Sequence, residues 1–138
     1  MEDKDVLNVN DLDLLIKEKL IPFRERIIDS LAKKHPHIFS MIDAFISGKK
    51  NQVGLQVVED GETVREYTFY LEGIRISKVE PGALSSEIHH PLLGVVKPYG
   101  VIERTVLAKM LNDEQSFIDE PFSTIARFLP NITIKFLL

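Results

Sequence analysis

The sequence predicts an α+β fold, an antiparallel β-meander of four or five strands covered by N-terminal and C-terminal helices. Three observations lead there. Residues 53–79 alternate apolar and polar side chains through three short runs, separated by Asp60-Gly61 and Glu72-Gly73, which suit tight hairpin turns. On either side of this stretch, apolar residues recur at spacings of three and four, the period of an amphipathic helix. The chain then closes on Ile132, Ile134, Phe136 and Leu138, alternating with Asn131, Thr133 and Lys135 as a strand does.

Composition sets the outer limits. The 138 residues suit a single domain over 1–138, and a domain of this size buries about two-thirds of the surface its unfolded chain exposes. There is no cysteine, hence no disulfide framework, thiolate nucleophile or cysteine-ligated metal, and a reducing compartment fits. The formal net charge of −4 argues against nucleic acid as a partner, because phosphate binding needs a concentrated positive field. No apolar run approaches the ~20 residues of a membrane span, and none follows acidic residues 1–5 as a signal-peptide core would. Cytoplasmic localisation is the expectation.

Residues 1–10 read as frayed. Asn10 or Asp11 then caps a short helix carrying Leu12, Leu15, Ile16 and Leu20. Pro22 is expected to interrupt it and to open a second helix with Phe23, Ile27, Ile28 and Leu31 on one face, closed by Lys33-Lys34. His35-Pro36 opens a third, with Ile38, Phe39, Ile42, Phe45 and Ile46 as its stripe and Gly48 as terminator. In the meander, Val53, Leu55 and Val57 share a face, as do Tyr67, Phe69 and Leu71 on the returning strand, with Glu66, Thr68 and Tyr70 on the other side.

Residues 80–100 hold Pro81, Gly82, Pro91, Gly94, Pro98 and Gly100, too many breakers for a helix. Either a short edge strand lies near 94–96 or 99–103, with Pro98 tolerated only at an edge, or the whole segment forms a lid over an apolar hollow. From Arg104 the helical period returns through Val106, Leu107, Met110 and Leu111, with a break at Asn112-Asp113. After Phe117 and Ile118, Pro121 starts a helix with Phe122, Ile125, Ala126 and Leu129, stopped by Pro130. The last strand is expected to join the meander. A terminal strand this apolar is protected from aggregation only when it is paired and its face covered.

Catalytic patterns are absent. No serine sits between glycines as in a hydrolase elbow, and no glycine-rich loop feeds a helix as a phosphate cradle. Adjacent His89 and His90, beside Glu87, would point to opposite sides of an extended chain, a poor start for a metal site. An enzyme using His89 or His90 with Glu87 or Glu103 is therefore the third-ranked reading. The sequence implies no metal, no cofactor and no catalytic residue, and it favours binding over catalysis.

Aromatic and apolar residues on the inward faces define a candidate ligand site instead. Tyr67, Phe69 and Leu71 would supply the sheet wall, with Tyr99 beside them; Met110, Phe117, Phe122 and Phe128 would supply the helix wall, beneath the 81–100 lid. The segment order, and in particular Tyr67-Thr68-Phe69-Tyr70-Leu71-Glu72-Gly73-Ile74 as strand, glycine turn and next strand, resembles the sterol carrier protein family over about residues 38–138. The resemblance implies a five-stranded sheet covered by helices over an apolar tunnel, and non-catalytic binding of sterols, fatty acids or acyl thioesters. Segment 81–100 is longer than the family's usual connection, and no glycine-containing tail follows the last strand. The first reading is thus a carrier module for a hydrophobic small molecule. The alternative is an interaction or accessory protein with a solid core, acting through an edge strand or the N-terminal helix, with a homodimer among its forms.

Overall fold

The computed structural model describes residues 9–46 and 50–138. Most of the expected frayed terminus, together with Gly48, lies outside the described residues. The architecture is α+β. Helix α1 (Val9–Leu15) runs through a π turn (Ile16–Leu20) into α2 (Ile21–Lys34), and α3 (Pro36–Ile46) follows. The meander is β1 (Lys50–Glu59), β2 (Glu62–Glu72) and β3 (Arg75–Pro81); then come the short strands β4 (Ile88–His90) and β5 (Gly94–Val96), and β6 (Pro98–Glu103). Helices α4 (Arg104–Leu111), α5 (Glu114–Asp119) and α6 (Pro121–Phe128) precede a 3-10 turn (Leu129–Asn131) and β7 (Ile132–Phe136).

Pro22 does not interrupt the first helix as expected. Leu15, Leu20 and Ile21 all keep helical dihedrals, and the Ile21 N–H bonds to the Ile16 carbonyl five residues back. Widening this turn relieves the clash that proline makes with a carbonyl four residues earlier, so the chain passes Pro22 within continuous helical structure.

Five strands form one sheet in the order β3-β2-β1-β6-β7. The meander pairs are antiparallel, β1 and β6 run parallel, and β6 and β7 are antiparallel again. The C-terminal strand therefore meets β6 and not the meander itself. Asp60 and Gly61 both have positive φ, 54° and 82°, as a tight turn between right-twisted strands requires. Gly73, at φ 61°, makes the next turn close against Asp43, where an added Cβ would lie 2.8 Å from Asp43 Oδ1.

Strand β6 is internal, although it begins with proline. Pro98 faces Phe136, while the neighbouring Leu137 N–H donates to the Lys97 carbonyl at 2.9 Å. Hydrogen-bonded and open pairs alternate along an antiparallel ladder, so Pro98 occupies an open pair with its nitrogen towards β1; there the β1–β6 ladder begins only at Tyr99 and the Gln52 carbonyl already accepts the Glu87 N–H, so no ladder bond is lost.

One face of the sheet carries the core: Leu12, Ile16, Val57, Tyr67, Phe69, Ile102 and Leu107 are buried together. The other face is mostly polar. Segment 82–87 crosses it over Gly54, where a built Cβ would lie 2.6 Å from Leu84 Cδ1 and 3.2 Å from the Ser85 carbonyl. The buried Thr68 hydroxyl donates to the Ala83 carbonyl and accepts the Ser85 N–H. The two β-branched methyls of Gly54→Val would push this strap off the sheet, so a loss of about 1–3 kcal/mol is expected in chemical denaturation, with faster amide exchange at Ser85.

Candidate functional site

Tyr67 and Phe69 stack, 6.4 Å between ring centroids, inside the buried cluster, with Met110 packed against it. The Tyr67 hydroxyl donates to Asp13 Oδ1 at 2.6 Å, and Arg65 donates to the same carboxylate at 3.1 and 3.2 Å. Burial first, and then the bond to Asp13, push the Tyr67 hydroxyl's pKa above the usual tyrosine range. Phe117 is 2% exposed and sits edge-on to Phe23 at 5.2 Å and stacked on Phe128 at 5.5 Å. These side chains fill space against protein.

The remaining sequence-derived site residues are scattered. Leu71 is half-buried on the core face of β2. Tyr99 pairs with Gly54 on the opposite, strap-covered face, so it does not line a hollow with Tyr67 or Phe69. Of the 81–100 segment, residues 82–87 cover that same opposite face over Gly54 and Thr68, β4 lies beside β1 and touches α3, and 98–100 belong to β6 within the sheet, so the segment forms no lid over the helix wall. Phe122 is exposed, edge-on to His35 at 5.4 Å.

The histidine pair is taken up in local structure. Asn51 Oδ1 accepts the His89 N–H at 2.8 Å and lies 3.1 Å from His89 Nδ1; a carboxamide oxygen only accepts, so the ring proton sits on Nδ1. His90 Nδ1 accepts the N–H groups of Leu92 and Leu93, each at 3.0 Å, which shapes the β4–β5 turn. No group of three or more His, Cys, Asp or Glu side chains that could hold a metal ion occurs among the described residues, and no described helix is long and apolar enough to cross a membrane.

The conspicuous surface lies elsewhere. Helix α6 buries Pro121 and Thr124, the latter donating to the Ser116 carbonyl at 2.9 Å, and stacks Phe128 on Phe117. Its other apolar row stays open: Phe122 is 47%, Ile125 41% and Leu129 51% exposed, continuing through the short turn into β7, where Ile134 is 56% and Phe136 63% exposed. Ile132 packs on the core, opposite Ile102, and Ile134 and Phe136 share its face by the strand period. Two apolar rows thus stand exposed, one on α6 and one on the helix-side face of β7. Sequence reasoning found Phe122 and missed Ile125, Leu129, Ile134 and Phe136 as site residues, because alternation and helical period mark an apolar face without saying whether anything covers it.

Two hollows lie among the helices, the first lined by polar side chains and the second by a mixture of polar and apolar ones. One of about 410 Å³ is bordered by Ser116, Asp119, Glu120, Ser123, Thr124 and Arg127, and another of about 300 Å³ runs between Leu15, Phe23, Arg26 and Glu114. The Arg26 guanidinium bridges both Glu114 oxygens and holds that carboxyl below the usual glutamate range.

Fold and surface together define an α+β domain with a one-sided helical cover and two exposed apolar rows. No protein-family model, curated protein or solved structure matches the chain.

Proposed function

We propose that the protein is a non-catalytic binding or carrier module for a hydrophobic small molecule of the sterol, fatty acid or acyl-thioester kind. The observation that carries this reading is the pair of uncovered apolar rows, Phe122/Ile125/Leu129 on α6 and Ile134/Phe136 on β7. Exposed apolar rows of this kind mark binding surfaces, and on this reading the two flank one apolar trough. A five-stranded sheet with helices on its apolar face, together with the sterol carrier resemblance, supports the same reading, and the lack of cysteine suits a reducing, cytoplasmic setting. The site is the trough and not the packed interior around Tyr67, Phe69 and Phe117. Binding would draw on apolar burial at about 25 cal/mol per Å² before ordering costs.

The test is native mass spectrometry of the protein as purified from cells, followed by solvent extraction. The expected result is an extractable adduct of a few hundred daltons. A long-chain fatty acid added at a hundred times its Kd should raise stability by about 2.7 kcal/mol. Ile125→Glu combined with Phe136→Glu should abolish both effects while leaving the fold intact, since both side chains are exposed. A clean apo mass with no stabilisation by fatty acid or sterol would sink the carrier reading.

A further inference from the structure

Strand β7 is an edge of the sheet, and its outward hydrogen-bonding groups can be assigned. Leu137 donates to Lys97, and by the alternation of the antiparallel ladder Lys135 and Thr133 also turn their N–H and C=O groups towards β6. Ile134 and Phe136 therefore present theirs to the free edge, and Ile132 presents its C=O, its N–H donating to the Leu129 carbonyl in the 3-10 turn. Among the described residues, no strand lies on that side. The usual protections of an edge are missing: the strand has no proline and no bulge, and a single lysine is its only charge.

We propose that β7 pairs antiparallel with β7 of a second copy about a two-fold axis at Ile134, joining two five-stranded sheets into one. This register pairs both groups of Ile134 with those of its counterpart, and the Phe136 N–H with the Ile132 C=O. Ile134 meets Ile134 of the second copy, and Ile132 meets Phe136, all of them outward residues. Thr133 then lies opposite Lys135 of the second copy on the polar face. Centring on Lys135 would set the two lysines against each other, and centring on Thr133 would place Phe136 opposite Pro130, which has no N–H.

The exposed strand suits a second copy: Ile134 and Phe136 are each more than half uncovered, and across the axis they pack beside their counterparts as cross-strand pairs. A flat strand edge fits the same edge turned by a two-fold, since each donor then meets an acceptor. The two apolar troughs come side by side across the axis.

Sedimentation equilibrium of the full chain over the micromolar range tests this, with a dimer mass expected. Thr133→Lys places like charges opposite each other at two symmetric points, so the dimer should weaken about tenfold. Thr133→Glu, facing Lys135 of the second copy, should not weaken it, and Lys135→Glu added to Thr133→Lys should restore it. Thr133 points away from the trough, so ligand uptake should not change in Thr133→Lys, which separates this interface from the carrier reading. A monomer at all concentrations, or a dimer to which the lysine and glutamate variants make no difference, overturns the pairing.

Discussion

Phe117→Ala should lower the unfolding free energy by about 3–5 kcal/mol, measured by urea denaturation with an unchanged slope. The ring is 2% exposed and touches two other rings, Phe23 at its edge and Phe128 across its face. Truncation would leave a void that α2, α5 and α6 cannot close together, because α5 is also tied to α2 through the carbonyl of Ile118. Ser30 Oγ donates to that carbonyl at 3.1 Å and Lys34 Nζ at 2.9 Å. Phe122→Ala, on the exposed side of the next helix α6, should cost no more than about 0.5 kcal/mol. The contrast separates a packed residue from a trough residue. A loss below about 1.5 kcal/mol for Phe117→Ala would mean that the ring already borders an empty space, and would move the ligand site back into the interior.

Asp13→Ala should cost about 2–3 kcal/mol, because it leaves two partners behind: the Arg65 guanidinium and the Tyr67 hydroxyl. The loss stays below that of a fully buried pair, since the side chains of Arg65 and Asp13 remain 30% and 19% exposed and water can replace part of what is removed. Tyr67→Phe keeps the ring and should cost about 1–2 kcal/mol. In a double-mutant cycle the two changes should fall short of additivity, because they delete the same hydrogen bond.

The same network fixes the alkaline limit. Tyr67 ionises above the usual tyrosine range in the fold, so its contribution is complete up to the free tyrosine value of about 10 and is lost as the pH rises through the higher folded value. The stability advantage over Tyr67→Phe should be constant near neutrality and shrink above about pH 10. An advantage that stayed level into the alkaline range would show that the Tyr67 hydroxyl is not held in this way.

The protein's apolar surplus follows from where its elements stop. Helices α1, α2 and α4 cover the core face of the sheet, while α6 packs Phe128 on Phe117 and leaves Phe122, Ile125 and Leu129 open, and Ile134 and Phe136 of β7 stay uncovered. The exposed apolar rows and the free edge are consequences of that placement. On the proposed readings, the first would offer side chains to an apolar ligand and the second backbone groups to another strand.

The sequence by itself determined the local elements. Alternation at Val53, Leu55 and Val57 and at Tyr67, Phe69 and Leu71, with Asp60-Gly61 and Gly73 between the strands, made the meander legible, and the α+β class with it. These signals are local: a turn residue or a period acts within a few positions. What lies far apart in the chain was decided only in the folded molecule. Strand β6 enters between β1 and β7, Pro98 survives inside a sheet because its partner pair needs no N–H, and segment 82–87 straps the face away from the helices. The same apolar period describes buried Phe117 and open Ile125, because hydrophobicity drives burial without naming the surface that provides it. Tertiary packing assigned the cover, and it left Ile134 and Phe136 without one.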